Sequence, residues 1–171
     1  ADQVDQYVQK NELLDYYDNV ALAGLRLAQL DLDRSMLDQP RVRRLRASVT
    51  ELFATIVPAD DADARPAKGE AGARPLVRLR ADDLDEAWRG ATPVLCVGGR
   101  TLLDEAAAIP VADALNRSGI GAKVMPAETL QSAGLARLDT EGVQMIVVSF
   151  LDDSSESAMR FAVRRLRGKL D

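Results

Sequence analysis

The 171-residue chain contains no histidine. That removes the commonest metal ligand, the commonest general base and any Ser/His or Cys/His nucleophile pair. A single cysteine, Cys96, rules out an internal disulfide and any multi-thiolate metal site. The aromatic residues are one Trp, three Tyr and three Phe. Leu, Val, Ile and Ala must therefore fill the core, and little is left for stacking bases or sugars. No stretch approaches the roughly 20 consecutive apolar residues that span a bilayer, and the N-terminus has no signal-peptide pattern. A soluble module is expected and, since it starts on Ala1, a piece of a longer protein. The net charge of −5, from 22 basic and 27 acidic residues, gives no global reason to bind nucleic acid or an anionic membrane.

What is present is globular composition, 47% apolar and 29% charged. The pattern divides the chain into a helical unit over 1–57, a flexible linker over 58–75 and an α/β domain over 76–171. In the first, apolar residues recur at spacings of three and four. Val20, Leu22, Leu25, Leu27, Ala28 and Leu30 suit a helix buried on more than one side and ending near 31–37. Asp38 is placed to cap the next helix, with Pro40 in its first turn and Val42, Leu45, Val49, Leu52, Phe53 and Ile56 along one stripe. The run PADDADARPAKGEAGARP has linker composition, with no apolar residue larger than Ala. Protease is expected to cut there first.

Beyond Thr92 the pattern changes to β/α alternation. Pro93–Val97, 121–125 and 143–150 read as strands; 102–118, 128–138 and 154–170 read as helical segments, the first closed by Gly119. Pro110 falls inside the first of these helices, which predicts a kink or a later start. Leu76–Leu79 is an ambiguous apolar patch, and Leu84–Trp88 can form one helical turn. Strands separated by helical crossovers predict an α/β fold: a flavodoxin- or Rossmann-like three-layer domain with a parallel sheet of order 2-1-3, behind a small helical unit. With three strands, something should cover the sheet edge, and self-association is one way.

In such a sheet ligands bind at strand carboxyl ends where the order reverses. The candidate site is therefore Gly98, Gly99, Arg100, Thr101 and Asp104 after the first strand, with Ser149, Asp152, Asp153 and Ser154 after the third. Paired glycines let a backbone approach a ligand closely, or simply make a tight turn. Thr101 can cap the helix and its free N–H groups favour an anion, whereas Asp104 and Glu105 in the first turn suit the helix dipole and argue against a strongly anionic ligand. Asp153 or Ser154 can instead cap the last helix. The turn is neither GxGxxG nor a P-loop. Asp104, Glu105, Asp152 and Asp153 could alternatively serve a small carboxylate-based enzyme. No catalytic residue, metal or cofactor is assigned, and Cys96 reads as a buried, inert thiol. Arg160, Arg164, Arg165, Arg167 and Lys169 make the last helix basic, and Arg41, Arg43, Arg44 and Arg46 form a second cluster. The last helix reads as a solvated face, or as a contact for an anionic membrane or acidic partner; nucleic acid is not expected at either cluster.

The runs Val94–Ala108, Gly119–Val124 and Val147–Leu151, behind a helical unit, resemble the cobalamin-binding class of Rossmann-like domains. The DxHxxG motif that ligates cobalamin through imidazole is replaced by Gly98-Gly-Arg-Thr-Leu-Leu-Asp104, so the resemblance implies the fold without that cofactor. More narrowly, Tyr16–Asp38, Val94–Ala108 and the ending FAVRRLRGKL resemble the soluble C-terminal region of bacterial permeases similar to autoinducer-2 exporters. That resemblance implies a regulatory, ligand-sensing or interaction module on the cytoplasmic face of the inner membrane. Its partners would be the remainder of a membrane protein preceding Ala1, a small-molecule ligand or a second copy.

Overall fold

The computed structural model describes residues 13–55, 76–152 and 156–170. Leu13–Tyr16, a π-helical turn Tyr17–Leu22 and Ala23–Asp33 follow one another without leaving helical backbone, and together make α1. Helix α2 spans Gln39–Thr55. The Asp38 carboxylate accepts the Arg41 N–H at 2.9 Å, the cap that the sequence predicts.

Among the described residues the sheet has three strands: β1 Val94–Gly98, β2 Ala122–Met125 and β3 Met145–Ser149. Its order is β2-β1-β3 and both pairings are parallel, with Cys96 between Val124 and Val147. Helix α3 (Leu102–Arg117) crosses from β1 to β2; a 3-10 turn Ala127–Leu130 and helix α4 (Ser132–Arg137) lead toward β3; and α5 covers Glu156–Leu170. The fold is thus α/β, a parallel sheet between helices behind a helical unit. β1 is buried throughout because its side chains alternate between two covered faces. Val94 and Cys96 pack on Ala108 and Ala112 of α3, while Leu95 and Val97 pack with Leu135, Leu138 and Leu166.

Helix α3 is buried on its far side as well. Leu103, Ala106 and Ala107 pack with Leu25 and Val42, so the alanine run lets the helical unit approach closely. Tyr16, Tyr17 and Phe53 form a neighbouring cluster against Ile109 and Ala114. Whatever chain joins them, the two units share core.

Several boundaries differ from the sequence expectation. Val143 lies in a turn, its N–H donating to the Thr140 carbonyl after Gly142 at φ +71°, so β3 begins two residues later. Residues 76–80 are irregular and add no strand; the Leu79 N–H donates to the Ser118 carbonyl at 2.9 Å. Only Glu86–Trp88 of the predicted helical turn is a 3-10 helix. Pro110 neither delays nor ends α3, which runs through it with the ring fully buried. Gly119, at φ +89°, closes α3 as predicted: its N–H donates to the Asn116 carbonyl and that of Ile120 to Leu115, the paired bonds of a Schellman motif.

Cys96 is 0% exposed, and burial pushes its thiol from 9.0 up to about 11. Burial, and then the Asp113 carboxylate that accepts the Tyr17 hydroxyl, push the Tyr17 phenol well above the tyrosine range. Both shifts favour the neutral form in the fold. Their stabilisation is complete below the unfolded values and is lost as pH rises through the folded ones, from about pH 9 upward. Denaturant midpoints should therefore be flat near neutrality and fall steeply between pH 9 and 11. A disulfide reagent should label Cys96 only as fast as the protein unfolds; rapid labelling at pH 8 would contradict its burial.

Candidate functional site

The parallel pairing of β1 with β3 brings together the two loops that the sequence singled out. The Gly99 N–H donates to the Ser149 carbonyl at 2.8 Å, so the loops meet beside the start of α3. Hydrogen bonds of the protein's own groups tie the two loops together.

Asp104 carries this arrangement. Thr101 caps α3, its hydroxyl accepting the Asp104 N–H at 3.1 Å, while the Asp104 carboxylate reaches back to the N–H groups of Arg100 and Thr101, each at 2.9 Å. That is a capping box. The second oxygen, Oδ1, accepts the Leu151 N–H at 2.8 Å from the loop after β3. One side chain, 3% exposed, thus accepts three backbone N–H groups from both loops. The Arg100 and Thr101 donors lie just before α3, where an anion is favoured, and a carboxylate built into the chain accepts them.

Glu105, 2% exposed, does the same on the other side. Its Oε1 accepts the Ala127 N–H at 2.8 Å from the segment after β2, and its Oε2 lies 2.7 Å from Arg46 Nε on α2. The Nε–H is not aimed along that line, so the contact is ionic rather than an aligned hydrogen bond. Two successive carboxylates therefore tie the ends of all three strands to the first turn of α3.

The paired glycines serve packing. Neither has positive φ, so space rather than backbone conformation demands them. A Cβ at Gly98 would lie 2.6 Å from the Glu105 Cγ and 2.7 Å from its backbone nitrogen; one at Gly99 would meet the Phe150 ring. Leu151 then packs with Leu102 into the cluster around Leu25 and Val42, so the helical unit leans on this corner of the domain. Arg100 is exposed, Ser149 and Asp152 are half-buried, and Asp153 and Ser154 lie outside the described residues.

Sequence reasoning missed Phe150, the ties made by Glu105, and Arg46. Phe150 directly follows β3 and could have been suspected from that position, but nothing local connects Arg46 to Glu105. Also missed was the cluster in which Tyr17 and Arg117 both donate to Asp113 Oδ2, joining the π-helical turn of α1 to α3.

Two grooves lie elsewhere among the described residues. A groove of about 490 Å³ is lined by Arg78, Leu79, Asn116, Arg117 and Gly119 at the opposite end of α3. A smaller one, about 280 Å³, runs between α1 and α3, where Tyr17, Asp18 and Leu22 face Pro110, Val111 and Ala114. Among the described residues no group of three or more Cys, Asp or Glu could hold a metal ion, and no helix is long and apolar enough to cross a membrane. Comparison with family models, curated proteins and solved structures gives no match.

Proposed function

We propose that this chain is an interaction module, the regulatory region of a membrane transporter, acting through protein and surface contacts rather than chemistry. The observation that carries this reading is the closed switch point: Asp104 accepts N–H groups from both loops, and Glu105 accepts one from the segment after β2, where an α/β domain of this topology would hold a ligand. The transporter context rests on the resemblance of Tyr16–Asp38, Val94–Ala108 and Phe161–Leu170 to permease C-terminal regions. Several membrane spans encoded upstream of Ala1 would support it, and a soluble enzyme there would end it.

A second reading, sensing of a small apolar molecule, is favoured by the groove between α1 and α3. Its walls are the π-helical turn and the helix carrying Pro110, and π-turns recur at functional sites. A thermal-shift screen with nucleotides, cobalamin, sugars, amino acids and small aromatic compounds separates the two. The interaction reading expects no saturable shift with any polar ligand. A shift with an aromatic compound that Ala114→Phe abolishes would select sensing, and a shift with a nucleotide or cobalamin would refute the closed switch point.

A further inference from the structure

Helix α5 differs in charge from the rest of the chain. Within Glu156–Leu170 there are five basic side chains, Arg160, Arg164, Arg165, Arg167 and Lys169, and one acidic one, in a chain of net charge −5. The helix is seated by Ala162 and Leu166, which are buried, and by Arg165, which donates to the Leu130 carbonyl at 2.9 Å and to Ser132 Oγ at 3.1 Å. At 100° per residue the outward face is centred on Arg164, with Arg160 and Arg167 on one side and Phe161 on the other. All four are exposed, Phe161 by 59%. Met159 and Val163, also exposed, border the arginine row toward the core.

An aromatic ring left in water beside three arginines is not explained by packing. The Arg165 guanidinium lies over the Phe161 ring, 5.3 Å from its centroid. Solubility does not require the arginines, since the remaining residues already carry a large negative charge.

We propose that the outward face of α5 docks on an anionic lipid surface, its arginines on phosphate headgroups and Phe161 at the acyl boundary. Glu156 pairs with Arg160 at 2.5 Å on the same side of the helix, so the face still carries an excess of positive charge for a planar anionic surface to meet. A nucleic acid would need a longer basic track with several interleaved aromatics, whereas α5 offers a single exposed ring, Phe161. The proposal rests on the transporter reading only in placing a membrane within reach.

The test is flotation of the whole chain with vesicles of phosphatidylcholine, with and without phosphatidylglycerol. Binding is expected only with phosphatidylglycerol, weakening as salt rises, because exposed charges are screened. Each basic residue near such a surface is worth about fivefold in partitioning. Arg160→Glu/Arg164→Glu/Arg167→Glu should therefore lose about 100-fold or more while keeping its circular dichroism spectrum and unfolding midpoint. Phe161→Trp reports insertion directly: its tryptophan emission should shift to the blue with anionic vesicles alone. Equal binding to neutral vesicles, unchanged binding by the folded triple variant, or no binding to anionic vesicles at low salt would each overturn the proposal. The last result would leave the arginine row to a protein with an acidic face. None of the three touches the transporter reading, which the upstream gene decides.

Discussion

Asp104→Ala should cost about 3 to 4 kcal/mol of folding stability, although the residue sits where a ligand site was expected. The substitution removes the acceptor for the N–H groups of Arg100, Thr101 and Leu151 and dismantles the capping box. A lost cap costs about 1 kcal/mol, and each buried donor left without an acceptor costs about 1 to 3 kcal/mol, reduced where water can enter. Asp104→Asn keeps the shape and one acceptor oxygen, so it should lose less, about 1 to 2 kcal/mol. Urea unfolding followed by far-ultraviolet circular dichroism measures both. The direction separates two roles for the carboxylate. A side chain reserved for a ligand is commonly a burden on the fold, and removing it stabilises. A gain in stability from Asp104→Ala would therefore reopen the switch point as a ligand site.

Gly98→Ala should be nearly as damaging, at about 2 to 3 kcal/mol, and should exceed Gly99→Ala. The Cβ added at Gly98 meets the backbone nitrogen and Cα of Glu105 at 2.7 and 2.8 Å, so α3 itself must move and its ties to Ala127 and Arg46 move with it. At Gly99 the obstacle is the ring of Phe150, which can rotate or shift. Phe150→Leu should accordingly recover much of the loss from Gly99→Ala and none of that from Gly98→Ala. If both glycines tolerated alanine with unchanged unfolding midpoints, their smallness would serve something other than internal packing, and close approach to a ligand would return as the reason.

Much of the fold was legible because it depends on local pattern. Val94–Gly98 is a short apolar run between Pro93 and Gly99, and a strand covered on both faces reads that way whatever covers it. Asp38, Thr101 and Gly119 announce helix ends because capping joins residues only a few positions apart. The order β2-β1-β3 is the start of a flavodoxin-like sheet, which the alternation of strands and helices suggested. The meeting of the two loops was equally readable, since neighbouring parallel strands must end side by side.

What the loops do when they meet was decided by tertiary structure alone. Residues 98–104 are compatible with a ligand cradle and with a packed turn, since glycine, a capping hydroxyl and an acidic residue suit both. In the structure Phe150 lies over Gly99, Leu151 donates to Asp104, and α2 brings Arg46 to Glu105. Those partners stand 47 to 59 residues away in sequence, except where Gly98 meets Glu105. Helical and strand periodicities report only which face of an element is apolar. They carry no information about which distant polar group will share a buried space, because that depends on packing geometry that exists only after the chain has folded.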